Sequence, residues 1–168
     1  MPSIEPDLLG RLYRQHAPAL RLYARQWPGC ADDVVQDAFV KLAQQSPPPE
    51  RVLPWLYRVV RNGALSTGRA AARRRRREGR ASAPEAWFSA VDDHLDARHA
   101  TRLLADLSLD LREVIVARLW GSLTFEEVAQ VVGCSLPTAH RRYQAALIEL
   151  RERLEGRWIP TPPAPTTT

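Results

Sequence analysis

Apolar residues recur three or four positions apart along almost the whole chain, and no alternating run of β-branched residues bounded by turn residues competes with them. This spacing predicts an all-α fold. Between about 78 and 100 the pattern fades into small residues and proline followed by an acidic stretch, a composition typical of a linker. With 168 residues the chain has room for two small helical bundles, and not for a large multidomain enzyme.

The composition divides the chain into four parts. Pro18 interrupts the first helical pattern, which predicts either a kink or the start of a new helix there. The second bundle is expected to contain two short helices that meet at Gly133. The predicted parts are a first bundle at 1–77, a flexible linker at 78–100, a second bundle at 101–157 and a disordered proline- and threonine-rich tail at 158–168.

The apolar positions also predict the core. In the first bundle they are Leu8, Leu9, Leu12, Leu20, Tyr23, Val34, Val35, Ala38, Phe39, Leu42, Trp55, Leu56, Val59, Val60 and Ala64. In the second they are Leu103, Leu104, Leu107, Leu111, Val114, Ile115, Leu119, Val128, Ala129, Val132, Tyr143, Ala146, Leu147, Leu150 and Leu154.

Several classes of protein are excluded or disfavoured. No run approaches the roughly 20 apolar residues that a membrane helix needs, and the N-terminus lacks the order of a secretion signal, so we expect a cytoplasmic protein. Cys30 and Cys134 lie far apart without a second pair, so neither a disulfide nor a zinc site is predicted. The chain has no glycine-rich phosphate loop and no nucleophile elbow. We therefore expect a protein that is not an enzyme and that binds no cofactor.

One acidic segment leaves a metal-dependent enzyme open as an alternative. Asp92, His94 and His99 would be its ligands, with Asp93 and Asp96 nearby. The two histidines are five residues apart, which is not the four-residue spacing of a helical metal pair, and the segment falls in the linker. Bound metal in the purified protein would favour this alternative.

Residues 124–154 carry the strongest local pattern. Thr124-Phe-Glu-Glu127 fits a capping box, Gly133 supplies a sharp turn and Ser135 caps the next helix. Two helices joined in this way form a helix-turn-helix, whose second helix enters the major groove of DNA by its N-terminal half. A helical hairpin with a solvated polar face would show the same spacing.

The positive charge is concentrated in one segment. The net charge is +5, yet residues 50–80 alone contain ten arginines against two glutamates. Arg58, Arg61, Arg69 and Arg73 form one stripe along a helix, which suits the tracking of phosphates, and Arg73–Arg77 extend the charge around it. Trp55 and Tyr57 offer faces for stacking a base, although such aromatic residues are more often core. A solvated basic face is the other interpretation.

The second predicted helix has a separate acidic face. Asp33, Gln36, Asp37 and Val40 follow one another at helical spacing, away from the apolar stripe. Such a face is typical of a protein-docking surface, and an ordinary solvated face would carry the same charges.

Three blocks in order resemble the extracytoplasmic-function group of bacterial sigma factors, which have sigma regions 2 and 4. Ala31-Asp-Asp-Val-Val-Gln-Asp-Ala-Phe-Val-Lys-Leu42 resembles the polymerase-binding helix, and Trp55-Leu-Tyr-Arg-Val-Val-Arg-Asn62 resembles the start of the helix that handles the minus-ten element. Leu107–Val114 and Gly121–Arg142 resemble the domain that binds the minus-thirty-five element.

The resemblance implies a non-enzymatic initiation factor with core RNA polymerase and promoter DNA as partners, and it allows an anti-sigma factor. The implied contacts with the clamp helices of the largest polymerase subunit are Asp32, Asp33, Gln36, Asp37, Phe39 and Val40. Those with minus-ten DNA are Trp55, Arg58, Arg61, Asn62, Arg69 and Arg73. Those with minus-thirty-five DNA are Ser135, Pro137, Thr138, His140, Arg141 and Arg142.

The chain departs from the family pattern at several positions. Ser66 and Gly68 stand in a helix where the family usually has other residues, and Gly68 costs a helix about 1 kcal/mol relative to alanine. Pro137, Ala139 and Ala145 differ in the recognition helix, so a promoter sequence is not transferable. The departures at Ser66 and Gly68 favour a second hypothesis, a helix-turn-helix regulator that binds duplex DNA without polymerase.

Overall fold

The structure is a computed structural model that describes residues 4–79 and 102–156. Its fold is all-α, as the spacing of apolar residues predicts. Within the described residues no strand is present, and a helical turn at 102–105 precedes the fourth helix. The helices are α1 (Pro6–Ala24), α2 (Ala31–Gln44), α3 (Val52–Glu78), α4 (Leu109–Leu119), α5 (Phe125–Val132) and α6 (Leu136–Gly156).

Helices α1, α2 and α3 pack on one another and form the N-terminal bundle. Pro18 lies inside α1, which continues through it as one helix, so no new helix starts there. The loop after α1 lies close to α3, because a Cβ added to Gly29 would meet the side chain of Thr67. The buried centre of this bundle includes Leu20, Val35, Leu42, Leu56 and Val60, all predicted from their spacing.

Helices α4, α5 and α6 form the C-terminal bundle, in which each helix contacts the other two. Val114, Ile115 and Val128 are fully buried there. The second of the two helices that meet at Gly133 is longer than expected, since α6 has 21 residues. It therefore extends beyond α4 and α5, which have 11 and 8 residues.

Four residues of the predicted core are exposed. Leu147 and Leu154 lie on α6, whose length leaves its C-terminal part with little cover from the shorter α4 and α5. Leu119 is at the last turn of α4, and Leu8 is in the first turn of α1, where the neighbouring elements end. Spacing identifies the face of a helix but not how far the bundle covers it.

The two bundles contact each other. Helix α3 packs on α5, α1 packs on α4, and buried apolar residues of both bundles form one continuous cluster. Gly121, in the loop between α4 and α5, lies against Tyr57 of α3, and an added Cβ would come within 2.7 Å of the Tyr57 hydroxyl. The described structure is therefore closed, with one bundle seated on the other.

Some sequence-based expectations lie outside the described residues. They are most of the linker, the last residue of the second bundle (157), the tail at 158–168 and the acidic cluster with His94 and His99. Among residues 4–79 and 102–156, no helix combines the length and the apolar character that spanning a membrane requires.

Candidate nucleic-acid and protein interfaces

The turn between α5 and α6 has the geometry of a helix-turn-helix. The Glu127 backbone N–H donates to Thr124 Oγ1 at 3.2 Å, and the Thr124 N–H donates to Glu127 Oε2 at 2.7 Å, which completes the predicted capping box. Gly133 has a φ of 79°, in the left-handed region that glycine adopts without strain. This turn allows α6 to leave α5 sharply and places its N-terminal half at the surface.

The first turn of α6 is held by Ser135. The Thr138 backbone N–H donates to Ser135 Oγ at 3.3 Å, and the Ser135 hydroxyl donates to Thr138 Oγ1 at 2.8 Å. Ala139 is fully buried, which fixes the opposite side of the helix toward solvent. The predicted minus-thirty-five residues, here called the recognition face, are Ser135, Pro137, Thr138, His140, Arg141 and Arg142; Thr138 and Arg142 are half-buried and the other four are exposed.

His140 does not project freely from this face. Its ring stacks on Phe125 with centroids 3.9 Å apart and planes at 30°. Phe125 also meets Tyr143 edge-on at 5.2 Å, and the Arg118 guanidinium lies 5.1 Å from the centre of the Phe125 ring. Phe125 and Arg118 were not predicted as site residues, because their relation to His140 depends on the angle between α5 and α6.

The two arginines of the recognition face differ in their partners. Arg142 Nη2 lies 2.8 Å from Asp110 Oδ2 of α4, an ion pair within the C-terminal bundle. Arg141 is exposed and has no ion pair among the described residues. Arg141 is therefore the more available cation, and Asp110 limits the rotamers of Arg142.

Helix α3 carries the predicted arginine stripe, defined as Arg58, Arg61, Arg69 and Arg73. Three of these are exposed, and so is Asn62 next to Arg61. Arg61 differs because its side chain is only 24% exposed and its Nε pairs with Glu113 Oε1 of α4. Burial lowers the pKa of Arg61, but the hydrogen bond and the charge of Glu113 outweigh it and the pKa is raised.

The two aromatic residues near the start of α3 differ in exposure. Tyr57 is fully buried, so it offers no face for stacking a base in this structure, which corrects that expectation. Trp55 is half-buried and packs against the core. Helix α3 continues through Gly68 to Glu78, so the glycine does not end the helix.

The acidic face of α2, formed by Asp33, Gln36, Asp37 and Val40, is exposed at all four positions. Neither aspartate forms an ion pair within the described part of the chain. Asp32, by contrast, lies 2.6 Å from Arg21 Nε of α1. The acidic face thus presents two carboxylates that form no ion pair within the described residues.

Phe39 is 5% exposed and lies beneath this face, not on it. Its ring meets Tyr13 of α1 edge-on at 4.9 Å. Together they line a groove of about 490 Å³ between α1 and α2, whose walls include Leu9, Val40 and Ala43. Phe39 therefore lines this groove, which the sequence did not predict because the pairing of α1 with α2 forms it.

No group of three or more His, Cys, Asp or Glu residues that would suit a metal ion is present in residues 4–79 and 102–156. Cys30 and Cys134 are free thiols, one in each bundle. The features that carry chemistry in the described chain are therefore the recognition face, the arginine stripe and the acidic face with its groove.

Family models match both bundles. A model of Sigma-70 region 2 matches residues 12–81, and a model of Sigma-70 region 4 matches residues 99–150. This chain belongs to the sigma-70 family. Region 2 of this sigma factor includes the acidic face and the arginine stripe, and its region 4 includes the recognition face.

Two solved structures resemble the sigma factor over most of its length. The sigma factor RpoE in complex with the anti-sigma factor NepR from Bartonella quintana is 26% identical, with a TM-score of 0.75, and the match covers 90% of this chain and 98% of that one. CnrH in complex with the cytosolic domain of CnrY is also 26% identical, with a TM-score of 0.61 and 90% of each chain covered. No curated protein matches the sequence.

Sigma regions 2 and 4 are domains that bind core polymerase and promoter DNA, and the sigma factors of this family are initiation factors without a catalytic activity of their own. The resemblance to the extracytoplasmic-function group is confirmed by both family models and by the two solved structures.

Proposed function

We propose that this sigma factor directs core RNA polymerase to specific promoters and helps to open the DNA at the start site. The observation that carries this proposal is one chain with two complementary surfaces. It presents an acidic face whose two aspartates form no ion pair in the described residues, beside an apolar groove, and a helix-turn-helix with an exposed cation on its second helix. The first suits a protein partner and the second suits duplex DNA.

The acidic face is the proposed docking site for the clamp helices of polymerase. Asp33, Gln36 and Asp37 supply acceptors for cationic and polar side chains, and Val40 is 49% exposed next to them. The groove that Phe39 lines would accept an apolar side chain from the partner. A charged rim around an apolar pocket supplies both orientation and affinity, which neither element supplies alone. Asp32 would contribute less, because Arg21 already pairs with it.

The arginine stripe is the proposed contact with minus-ten DNA. Arg58, Arg69 and Arg73 are exposed along α3 and would neutralise successive phosphates, with Asn62 beside them as a hydrogen-bonding group. Trp55 is half-buried near the start of the helix, where an unpaired base would stack on it. Such contacts position DNA more than they read its sequence.

The recognition face is the proposed reader of minus-thirty-five DNA. Arg141 is free to form paired hydrogen bonds with a guanine edge. Phe125 holds the imidazole of His140 in place, so this side chain would reach the groove with little rotational freedom to lose. Ser135, Pro137 and Thr138 start the helix and would lie closest to the backbone of the DNA.

The proposal extends to the location, boundaries and partners of the chain. The protein would act in the cytoplasm, where core polymerase and promoter DNA are found. Residues 1–77 would bind polymerase and minus-ten DNA, 101–157 would bind minus-thirty-five DNA, and 78–100 would connect them. RpoE is solved with an anti-sigma factor and CnrH with CnrY, which supports an inhibitory protein as a further partner.

A pull-down with core polymerase followed by run-off transcription tests the proposal. The full chain is expected to bind polymerase at low salt and to start transcripts from a subset of promoters. Asp37→Arg reverses one charge on the acidic face and is expected to abolish binding without unfolding the chain. Glu152→Arg, the same reversal at an exposed position of α6, is the matched control and should bind normally.

The alternative function makes the opposite prediction in the same assay. A helix-turn-helix regulator would shift promoter DNA tightly on its own and would not be retained by polymerase at low salt. That combination would overturn the proposal. If circular dichroism showed Asp37→Arg to be unfolded, the side chain would have a structural role, and loss of binding would not support the acidic face.

A further inference from the structure

A buried polar cluster joins the two bundles. Glu113 of α4 is only 2% exposed. Its Oε1 accepts a hydrogen bond of 2.6 Å from the Tyr23 hydroxyl of α1 and pairs with Arg61 Nε of α3. Both partners belong to the N-terminal bundle, so the carboxylate of one bundle is satisfied by groups of the other. We call Glu113, Arg61 and Tyr23 the latch.

A second contact across the bundles lies nearby. Glu127 Oε1 of α5 is 2.5 Å from Nη2 of Arg51, the residue that precedes α3. Glu127 is the residue that completes the capping box, so one carboxylate serves both the turn of the C-terminal bundle and the closure. Two carboxylates of the C-terminal bundle therefore meet two arginines of the N-terminal bundle.

The latch occupies a side chain that DNA would need. Arg61 is the second of the four residues of the arginine stripe, and its guanidinium already pairs with a carboxylate. A phosphate would have to displace Glu113, which would then be buried without a cation, an unfavourable state. In the closed structure the stripe is therefore interrupted between Arg58 and Arg69, although these two residues are exposed.

The acidic face is not affected by closure. Helix α2 packs on α1 and α3, and all four residues of the acidic face are exposed while the bundles are together. The groove between α1 and α2 is open as well. The closed chain therefore hides part of one proposed surface and leaves the other accessible.

The interface suits separation as well as closure. The Tyr57 hydroxyl is buried against Gly121 and has no hydrogen-bond partner among the described residues. Burying it without a partner opposes closure, whereas water would satisfy it once the bundles separate. Glu113, Arg61 and Tyr23 are likewise groups that water solvates well. These polar groups favour separation, whereas the apolar cluster that continues across the interface favours closure.

From this arrangement we infer that the latch is an autoinhibitory contact: Glu113 holds the bundles closed and masks Arg61 from minus-ten DNA while the acidic face stays open to polymerase. The inference rests on the proposed function and adds its regulation. The free chain would dock on polymerase first, and DNA would engage the whole stripe only after the bundles separate. The balance between the two states then sets how much free chain binds DNA.

The test uses the full-length chain and Glu113→Gln, which keeps the shape of the side chain and removes the charge that pairs with Arg61. Small-angle X-ray scattering on the free chain should give a larger radius of gyration for the variant. Binding of a fluorescent DNA oligonucleotide of fixed sequence should tighten by about tenfold, the scale of a lost charge-assisted hydrogen bond. Since phosphate contacts do not depend on sequence, no promoter is needed.

Glu149→Gln is the matched control. It makes the same change in net charge, and its partner Arg153 lies in the same helix, so closure should not respond. Tyr57→Phe acts in the opposite direction, because it removes the buried hydroxyl that opposes closure. This variant should be at least as compact as the wild type and should bind the oligonucleotide more weakly.

The outcomes are separable. Equal scattering for wild type and Glu113→Gln, or expansion without tighter DNA binding, would overturn the latch. Should Glu113→Gln fail to fold, Tyr57→Phe decides: weaker DNA binding supports the latch, and unchanged binding with an unchanged radius overturns it. Capture by core polymerase tests the proposed function separately, because scattering of the free chain does not involve polymerase.

Discussion

The two proposed DNA-binding surfaces differ in how far they are preorganised for binding. The recognition face on α6 is exposed, capped at its first turn and stiffened by the stack of His140 on Phe125. The arginine stripe on α3 is longer and more charged, yet Arg61, one of its four residues, is already paired with Glu113. A surface that reads bases gains from being rigid beforehand, whereas one that tracks phosphates tolerates a conformational change before it binds. Under the proposed function, promoter specificity would reside on α6 and regulation on α3.

The largest expected effect separates base reading from phosphate contact. Arg141→Ala should weaken binding of the polymerase complex to promoters by about 1–3 kcal/mol, and only for sequences that keep the preferred base at one position. A panel of single-base promoter variants in run-off transcription measures this. Arg151→Ala, an exposed arginine near the end of the same helix, should leave the panel unchanged. A loss spread evenly over all sequences would mean that Arg141 contacts phosphate.

A smaller effect is expected from the turn that prepares the recognition face. Thr124→Ala removes the side-chain acceptor of the capping box and should lower the stability of the C-terminal bundle by about 1 kcal/mol. Urea denaturation followed by circular dichroism measures it. Thr124→Ser keeps the hydroxyl and should restore most of the loss. If both variants lose the same stability, the methyl group and not the cap is responsible.

The stability of helix α3 should rise when a glycine inside it is replaced by a better helix former. Gly68→Ala should raise stability by up to about 1 kcal/mol, because glycine is a poor residue inside a helix. An added Cβ would lie 3.4 Å from the Pro28 carbonyl oxygen, an ordinary contact. Gly63→Ala is the control. Its added Cβ would come within 3.1 Å of the Val34 side chain, so this variant should gain less stability. Thermal unfolding compares the two, and an equal gain would contradict the difference in space.

The smallest effect concerns one exposed member of the stripe. Arg69→Ala should reduce the slope of log binding constant against log salt concentration by about 0.9, with the same loss for every DNA sequence. Titrations of the oligonucleotide at several salt concentrations measure the slope. A loss confined to certain sequences would assign base reading to α3 and remove the contrast with α6.

The sequence predicted the elements better than their assembly. Apolar spacing identified the helical faces, and the spacing of Asp33, Gln36, Asp37 and Val40 identified an exposed face, because these patterns are local. Leu147 and Leu154 were placed in the core because a stripe does not reveal where its bundle ends. The burial of Phe39 in the groove wall depends on how α1 meets α2, which is a non-local property.

The latch was beyond sequence reasoning for the same physical reason. Glu113 falls in a block that resembles sigma region 4, and nothing in its local spacing indicates that Tyr23, 90 residues away, donates to it. Tyr23 was predicted as core from its apolar ring, and its hydroxyl was given no role. The burial of this hydroxyl and the nearby Glu113 raise the pKa of Tyr23, so the phenol stays protonated and remains a donor.

Gly121 links local folding to closure. Any larger residue there would crowd the carbonyl of Ala117 within its own bundle and the ring of Tyr57 in the other. A single methyl group would thus disturb both the path of the loop after α4 and the fit between the halves of the protein. The absence of a side chain at this position sets how near the two halves of the protein can approach each other.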